Sequence, residues 1–237
     1  MKKNIEVIPS PALYPYYDTA NTIVVMVDAI RASATIATAF HYGINHIVPL
    51  DDIELTRTYR EKGYLISAER NADKVEGFDK GNSPFEFMDE DINNQYLAMT
   101  TTNGTKAIRA ANGFNSLVVG GFVNFNAVYN YLLQSGQHIT VLCSGWKLRV
   151  NVEDQLFAGK LAEALFNTGE FQPASDASTM AQSLYKQSSH DLYTSIMQYS
   201  PRLAGKEDYL GRDIDYCLKE QNISTVPLYR DGKITAL

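Results

Sequence analysis

Cysteine is scarce in this chain: Cys143 and Cys217 are the only two among 237 residues, and they lie far apart. That excludes a disulfide-stapled scaffold and, with no export signal in view, predicts two reduced thiols in a cytoplasmic protein. The opening residues Met1-Lys2-Lys3-Asn4-Ile5 lack the apolar core of a signal peptide, and no apolar run approaches a membrane span. Positive charge is in deficit as well. A net charge of -6 and a pI near 5.2 argue against nucleic acid or an anionic membrane as partner. An anionic substrate therefore needs local arginine, lysine or metal to overcome the background. Histidine is sparse: His41, His46 and His138 fall at element edges, and His190 beside Ser188-Ser189 carries no catalytic mark.

What the chain does hold is enough apolar residue, 45%, to bury a full core at this length. Short apolar runs at 5–9, 23–27, 44–50, 64–68, 96–100, 117–119, 139–143 and 225–229 read as strands. Between them lie helical patterns at 34–40, 52–62, 106–111, 126–134 and 153–166, with further helices from 180 to 220. This alternation predicts an α/β fold, a three-layer α/β/α arrangement around a mixed, partly parallel sheet. A faint echo offset by about 70 residues, strand–polar turn–helix–Gly–strand–helix, fits either an internal duplication or two similar βαβ units. The expected organisation is a single domain over 1–237, or two intertwined subdomains of about 1–136 and 137–237. A homodimer is the expected assembly, two-fold dimers being the commonest oligomers.

The chemistry gathers at strand ends. Asp28, Arg31, Ser33 and Thr35 lie where the run 23–27 passes into a helix, the place where open α/β sheets bind ligands and helix starts favour anions. Asp28 and Glu69 are hard oxygen donors suited to Mg²⁺, or else a helix cap and the ion-pair partner of Arg70. Arg31 offers a planar fork to phosphate or sulfonate oxygens, or a salt bridge to a neighbour. Thr101-Thr102-Asn103-Gly104-Thr105 can cradle phosphate, or serve as an ordinary Asn-Gly turn. Asn82 and Ser83 can donate beside a permissive Gly81. Cys143 and Arg149 have the spacing of a thiolate phosphate cradle, with Trp146, Lys147 and Leu148 as poor cradle residues between them; a buried structural cysteine is the alternative. Glu153-Asp154 open a helix, where acids suit the dipole and could also supply a metal ligand or a base.

Taken together, these residues resemble the 2-phosphosulfolactate phosphatase family. The resemblance rests on Asp28-Ala-Ile-Arg31-Ala-Ser33-Ala-Thr35, Ala68-Glu69-Arg70, Gly77-Phe-Asp-Lys-Gly-Asn-Ser-Pro84 and Thr101–Thr105, with Gly121-Phe-Val-Asn124, Cys143-Ser-Gly145 and Glu153-Asp154. It departs in having Ser67-Ala68 where glycines are commoner, Ser144 where Ala is usual, and Lys80 inside the Gly-Phe-Asp motif. The resemblance implies an Mg²⁺-dependent acid phosphatase converting 2-phosphosulfolactate, or a similar phosphorylated 2-hydroxy acid, to sulfolactate and phosphate. On that reading Asp28 and Glu69 hold the metal, with Asp154 as a third ligand or a base, and Asp28, Arg31 and Glu69 are catalytic. Ser33, Thr35, Arg70, Asn82, Ser83, Thr102, Asn103, Gly104 and Thr105 position the substrate. A second cation, Arg149 or Lys80, takes its sulfonate or carboxylate. The competing expectations are a non-catalytic binder of small anions and a phosphatase using Cys143 and Arg149.

Overall fold

The run from Thr22 to Val27 is apolar at nearly every position because both of its faces are covered. In the computed structural model, which describes residues 1–111 and 113–237, Val24 and Met26 join one hydrophobic cluster while Ile23, Val25 and Val27 join another. A strand buried on both faces must lose the alternation that marks a half-exposed one.

In chain order the elements begin with β1 (Lys3–Ile8), β2 (Thr22–Val27), α1 (Ala32–His41), β3 (His46–Leu50), α2 (Ile53–Thr58), β4 (Leu65–Arg70) and β5 (Asp73–Lys74). There follow β6 (Tyr96–Thr100), α3 (Gly104–Ala110), β7 (Ser116–Val119), α4 (Phe125–Ser135), β8 (His138–Cys143), α5 (Val152–Phe166) and β9 (Phe171–Pro173). The chain ends with α6 (Asp176–Ser188), α7 (Leu192–Tyr199), α8 (Pro201–Ala204), α9 (Glu207–Leu218), β10 (Pro227–Arg230) and β11 (Lys233–Ala236). No helix among the described residues is long and apolar enough to cross a membrane.

The expected strands all form, and three more appear. β5 and β9 have two and three residues, too few for a periodicity. β11 buries Ile234 alone among its four residues, so it lacks a strand's apolar face. Its hairpin with β10 turns at Asp231-Gly232, both at positive φ (50° and 80°), an Asp-Gly signal of the kind tight hairpins demand.

Among the described residues eleven strands form one mixed sheet in the order β5-β4-β6-β3-β11-β10-β7-β2-β8-β1-β9. The order is symmetric about the β10–β11 hairpin. Outward on one side run β3, β6 and β4, all parallel, and on the other β7, β2 and β8, also parallel. Exchanging β2-α1-β3-α2-β4 with β6-α3-β7-α4-β8 maps one side onto the other. The sequence echo thus corresponds to two βαβαβ units whose strands are interleaved. Outside this symmetry β1 and β9 extend one edge in parallel register, with Ile5 opposite both Ile139 and Pro173.

The sheet is not flat. β2 and β6 lie five strands apart in the order, about 24 Å along a flat sheet. Yet Gly104, just past β6, packs against Asp28 and Ala32, just past β2. The two sides curl toward each other because residues of β2, β6, β3, β7 and β8 share one core with α1 and α3. Helices α4 to α7 and α9 cover the outer face of the β2 side, and α2 lies over the β4–β6 side. Curling carries the ends of β2, β4 and β6 to one cleft.

Candidate active site

Asp28 opens the turn between β2 and α1. Its backbone N–H donates to Ser33 Oγ at 2.9 Å, and its carbonyl accepts from the Ser33 N–H at 2.9 Å. Those two bonds shape the turn and leave the carboxylate facing the end of β6. A Cβ on Gly104 would stand 2.9 Å from Asp28 Oδ2 and 2.9 Å from Ala32 Cβ, so only glycine allows this approach. Asp28 accepts a hydrogen bond from the Gly104 backbone and is 6% exposed. Burial, and then the charges of Glu69 and Glu153, push its pKa up to about 7, against the pull of Arg202 and the Gly104 N–H.

Glu69, near the end of β4, is pinned from two sides. Its carboxylate accepts the Ala72 N–H at 2.6 Å, the Thr102 N–H at 3.3 Å and the Thr102 hydroxyl at 3.1 and 3.2 Å. Ala72 sits at φ +79°, a conformation an alanine rarely holds. The Glu69 contact and a 2.6 Å bond from Arg31 Nη2 to the Ala72 carbonyl hold it there. Strained backbone of this kind clusters at functional sites. Arg31 Nη1 meets Asp213 Oδ2 of α9 at 2.6 Å, and Ser83 Oγ donates to Asp213 Oδ1 at 2.8 Å.

Asp28, Arg31, Glu69, Asn82, Thr102 and Asn103 line one cleft with a cavity of about 120 Å³. A cleft with these polar walls suits a small anion. The α8–α9 region adds Arg202, Leu203, Lys206 and Leu210 to the lining, with Trp146.

Several expected contacts lie elsewhere. The hydroxyls of Ser33, Thr35 and Thr105 are engaged inside the fold, Thr35 to the Asn82 carbonyl and Thr105 to the Thr101 backbone. Arg70 turns from the cleft to the Glu69 carbonyl and Thr100 Oγ1. Arg149 is exposed on a hairpin outside the cleft, and Lys80 faces Asp89 and Asp91. Asp154 is fully buried, and its two oxygens accept from Ala29 N–H, Ser144 Oγ and Gly145 N–H at 2.8 to 3.0 Å. These three bonds hold the β8–α5 turn in place. The neighbouring Glu153 carries an open valence. Glu153 Oε1 pairs with Arg202 and Asn151, while the buried Oε2 has no partner, and burial raises its pKa. Asn82 Oδ1 is likewise buried without a partner. Cys143 is fully buried, accepts from Gln155 Nε2 at 3.1 Å, and has its thiol pushed well up by burial and by Asp154 and Glu153. A neutral, enclosed thiol is no nucleophile.

A model of the 2-phosphosulpholactate phosphatase family matches residues 8–232. The chain belongs to this family. It is 32% identical over 231 residues to the probable 2-phosphosulfolactate phosphatase of Caldanaerobacter subterraneus subsp. tengcongensis, covering 91% of this chain and 95% of that one. It is 34% identical over 210 residues to the same-named protein of Thermotoga petrophila (88% and 89% covered), and 30% over 234 residues to that of Clostridium tetani (98% and 99%).

In this family member the donor set suits a hard cation. Buried carboxylates of like charge repel one another, and two buried oxygens, Glu153 Oε2 and Asn82 Oδ1, are left over. Among the described residues no three His, Cys, Asp or Glu side chains form a closed metal cage. Sequence reading did not single out Arg202, Lys206 or the Arg31–Asp213 pairing. Arg31 and Asp213 are 182 residues apart, and no local spacing announces such a partner.

Proposed function

We propose that this protein is an Mg²⁺-dependent phosphatase that hydrolyses 2-phosphosulfolactate, or a closely similar phosphorylated 2-hydroxy acid, to sulfolactate and inorganic phosphate. The observation that carries the reading is Asp28, a buried carboxylate raised to about 7 by burial and its acidic neighbours, at the floor of a cleft fit for a small anion. Family membership supports the reaction. The donor chemistry supports Mg²⁺, which takes one or two carboxylates and completes its shell with water and substrate phosphate.

Asp28 and Glu69 would hold the metal, with water and the substrate's phosphate completing its shell. When bound, it would polarise the phosphoryl oxygens and lower the pKa of water. Arg31, held flat by Asp213 and the Ala72 carbonyl, offers its remaining N–H groups to the charge that develops on phosphorus. Thr102 and Asn103 border the phosphoryl position, and Thr102 keeps Glu69 in line. Leu203, Leu210 and Ile30 exclude water from one wall and so strengthen these interactions.

Hydrolysis of 2-phosphosulfolactate with Mg²⁺ is expected to stop in EDTA and return on re-addition of Mg²⁺, and to survive Cys143→Ser. Turnover in EDTA that Cys143→Ser abolishes would replace the metal reading with the thiolate one. Ligand binding without turnover of any phosphomonoester would leave only an anion-binding protein.

Gly104→Ala tests the approach of the two strand ends. The new Cβ must displace Asp28 or Ala32, at about 1–3 kcal/mol of stability. A misplaced Asp28 is expected to lower kcat by about tenfold to a hundredfold. Thermal unfolding and steady-state kinetics on one preparation check both, and an unaltered kcat would separate Gly104 from the chemistry.

A further inference from the structure

A substrate with a phosphate and a second anionic group presents two separate charges to be neutralised. Three cations line the cleft: Arg31 from the β2–α1 turn, Arg202 from α8 and Lys206 from the α8–α9 connection. Two of them are already committed. Arg31 is paired with the buried Asp213, and Arg202 with the buried Glu153, its guanidinium lying 5.6 Å from the Trp146 ring centroid. Lys206 stands apart. Among the described residues no carboxylate lies within salt-bridge distance of its ammonium, whose one hydrogen bond is a 3.3 Å contact to the Asn71 carbonyl. It is half-buried, and Leu203 and Leu210 line the cleft beside it. An ammonium with no counter-ion, at a partly apolar mouth in a chain of net charge -6, lacks an anion that the fold itself does not supply.

We propose that Lys206 is the specificity-determining residue of this cleft, the receptor for the substrate's second anion, a sulfonate or carboxylate one or two bonds from the phosphate-bearing carbon. This rests on the phosphatase reading above and adds the residue that selects among phosphomonoesters. The ammonium is a compact point charge whose N–H groups, beyond the one on the Asn71 carbonyl, are left for an anion's oxygens. The Asn71 carbonyl, in a turn held at φ +57° and +79° by Asn71 and Ala72, sets where the ammonium waits before substrate arrives.

The test compares Lys206→Met and Lys206→Arg with the parent enzyme on 2-phosphosulfolactate, 2-phospholactate and isopropyl phosphate, which carry two, one and no anionic groups besides the phosphate. Loss of one charged contact corresponds to roughly a tenfold to hundredfold change. Lys206→Met is therefore expected to raise KM for phosphosulfolactate by that factor with kcat changed much less, and to cut the preference over isopropyl phosphate equally. Lys206→Arg is expected to recover part of the preference. Equal losses on all three substrates, or a preference that survives Lys206→Met, would overturn the assignment and leave Lys206 as a latch on the Asn71 turn. Calorimetric binding of sulfolactate and of lactate keeps the two readings apart. If no phosphomonoester is hydrolysed, the phosphatase reading fails, yet weaker sulfolactate binding to Lys206→Met still supports the anion receptor, and unchanged binding refutes it.

Discussion

Asp28→Asn is expected to abolish hydrolysis and to make the metal-free protein more stable at pH 8. The folded pKa of Asp28, about 7, stands above its ordinary 3.8, so the native state holds that proton more tightly than the unfolded chain does. Stability from this group is fully present below pH 3.8 and drains away as pH rises to about 7. A shift of about three pKa units corresponds to roughly 4 kcal/mol; relaxation among the coupled acids makes about 2–4 a better expectation. Asparagine keeps the shape without the charge. Its gain should therefore grow between pH 4 and 7 and stay level above, worth on the order of 10 °C in Tm for a chain this long. Activity should fall at least about a hundredfold to a thousandfold. Saturating Mg²⁺ should raise Tm of the parent protein at pH 8 and leave that of the variant where it was. Scanning calorimetry across pH, with and without Mg²⁺, reads all of this. Retained turnover, or a variant less stable than its parent at pH 8, would remove Asp28 from the centre of the site.

The Arg31–Asp213 pair separates stability from catalysis in the opposite direction. Both side chains are about nine-tenths buried and meet at 2.6 Å. Arg31→Met strands the Asp213 carboxylate with only the Ser83 hydroxyl, which is expected to cost about 3–5 kcal/mol. Arg31→Met with Asp213→Leu removes both charges and should return most of that stability, because an apolar pair of similar volume often equals a buried ion pair. It should not return activity, for the guanidinium proposed to face the phosphoryl group is still missing. Urea unfolding and kcat/KM on the two variants decide the matter. A double variant that recovers turnover along with stability would make Arg31 a structural residue only.

The chain declared its fold class through strands buried on both faces and helices between them, and all eight predicted strands form within a residue or two of expectation. β11 escaped because a strand with Ile234 as its one buried residue has no apolar face to display. Its Asp231-Gly232 turn was nonetheless a readable hairpin signal. The echo between the units beginning at β2 and β6 was legible as repetition. That their strands interleave around the β10–β11 hairpin was not, since pairing between distant strands leaves no mark on local periodicity.

The site divides along the same line. Which residue types gather at strand ends is a local property, so Asp28, Arg31, Glu69, Asn82 and Thr102 could be named from motif and position. Which oxygens stay free depends on partners brought from afar. Asp154 and Glu153 are neighbours in sequence, but three donors from the turns after β2 and β8 occupy Asp154, while Arg202 from α8 takes one oxygen of Glu153 and leaves the other open. Ser33, Thr35 and Thr105 read as substrate contacts because a hydroxyl in a turn looks the same whether it faces a ligand or its own backbone. Lys206 looked like any surface lysine until the fold laid α8 and α9 across the cleft. The sequence by itself determined the chemistry available at the strand ends, since that is carried by residue identity and spacing. The tertiary structure alone decided which charges meet, because burial and long-range pairing set the electrostatics of every group in the cleft.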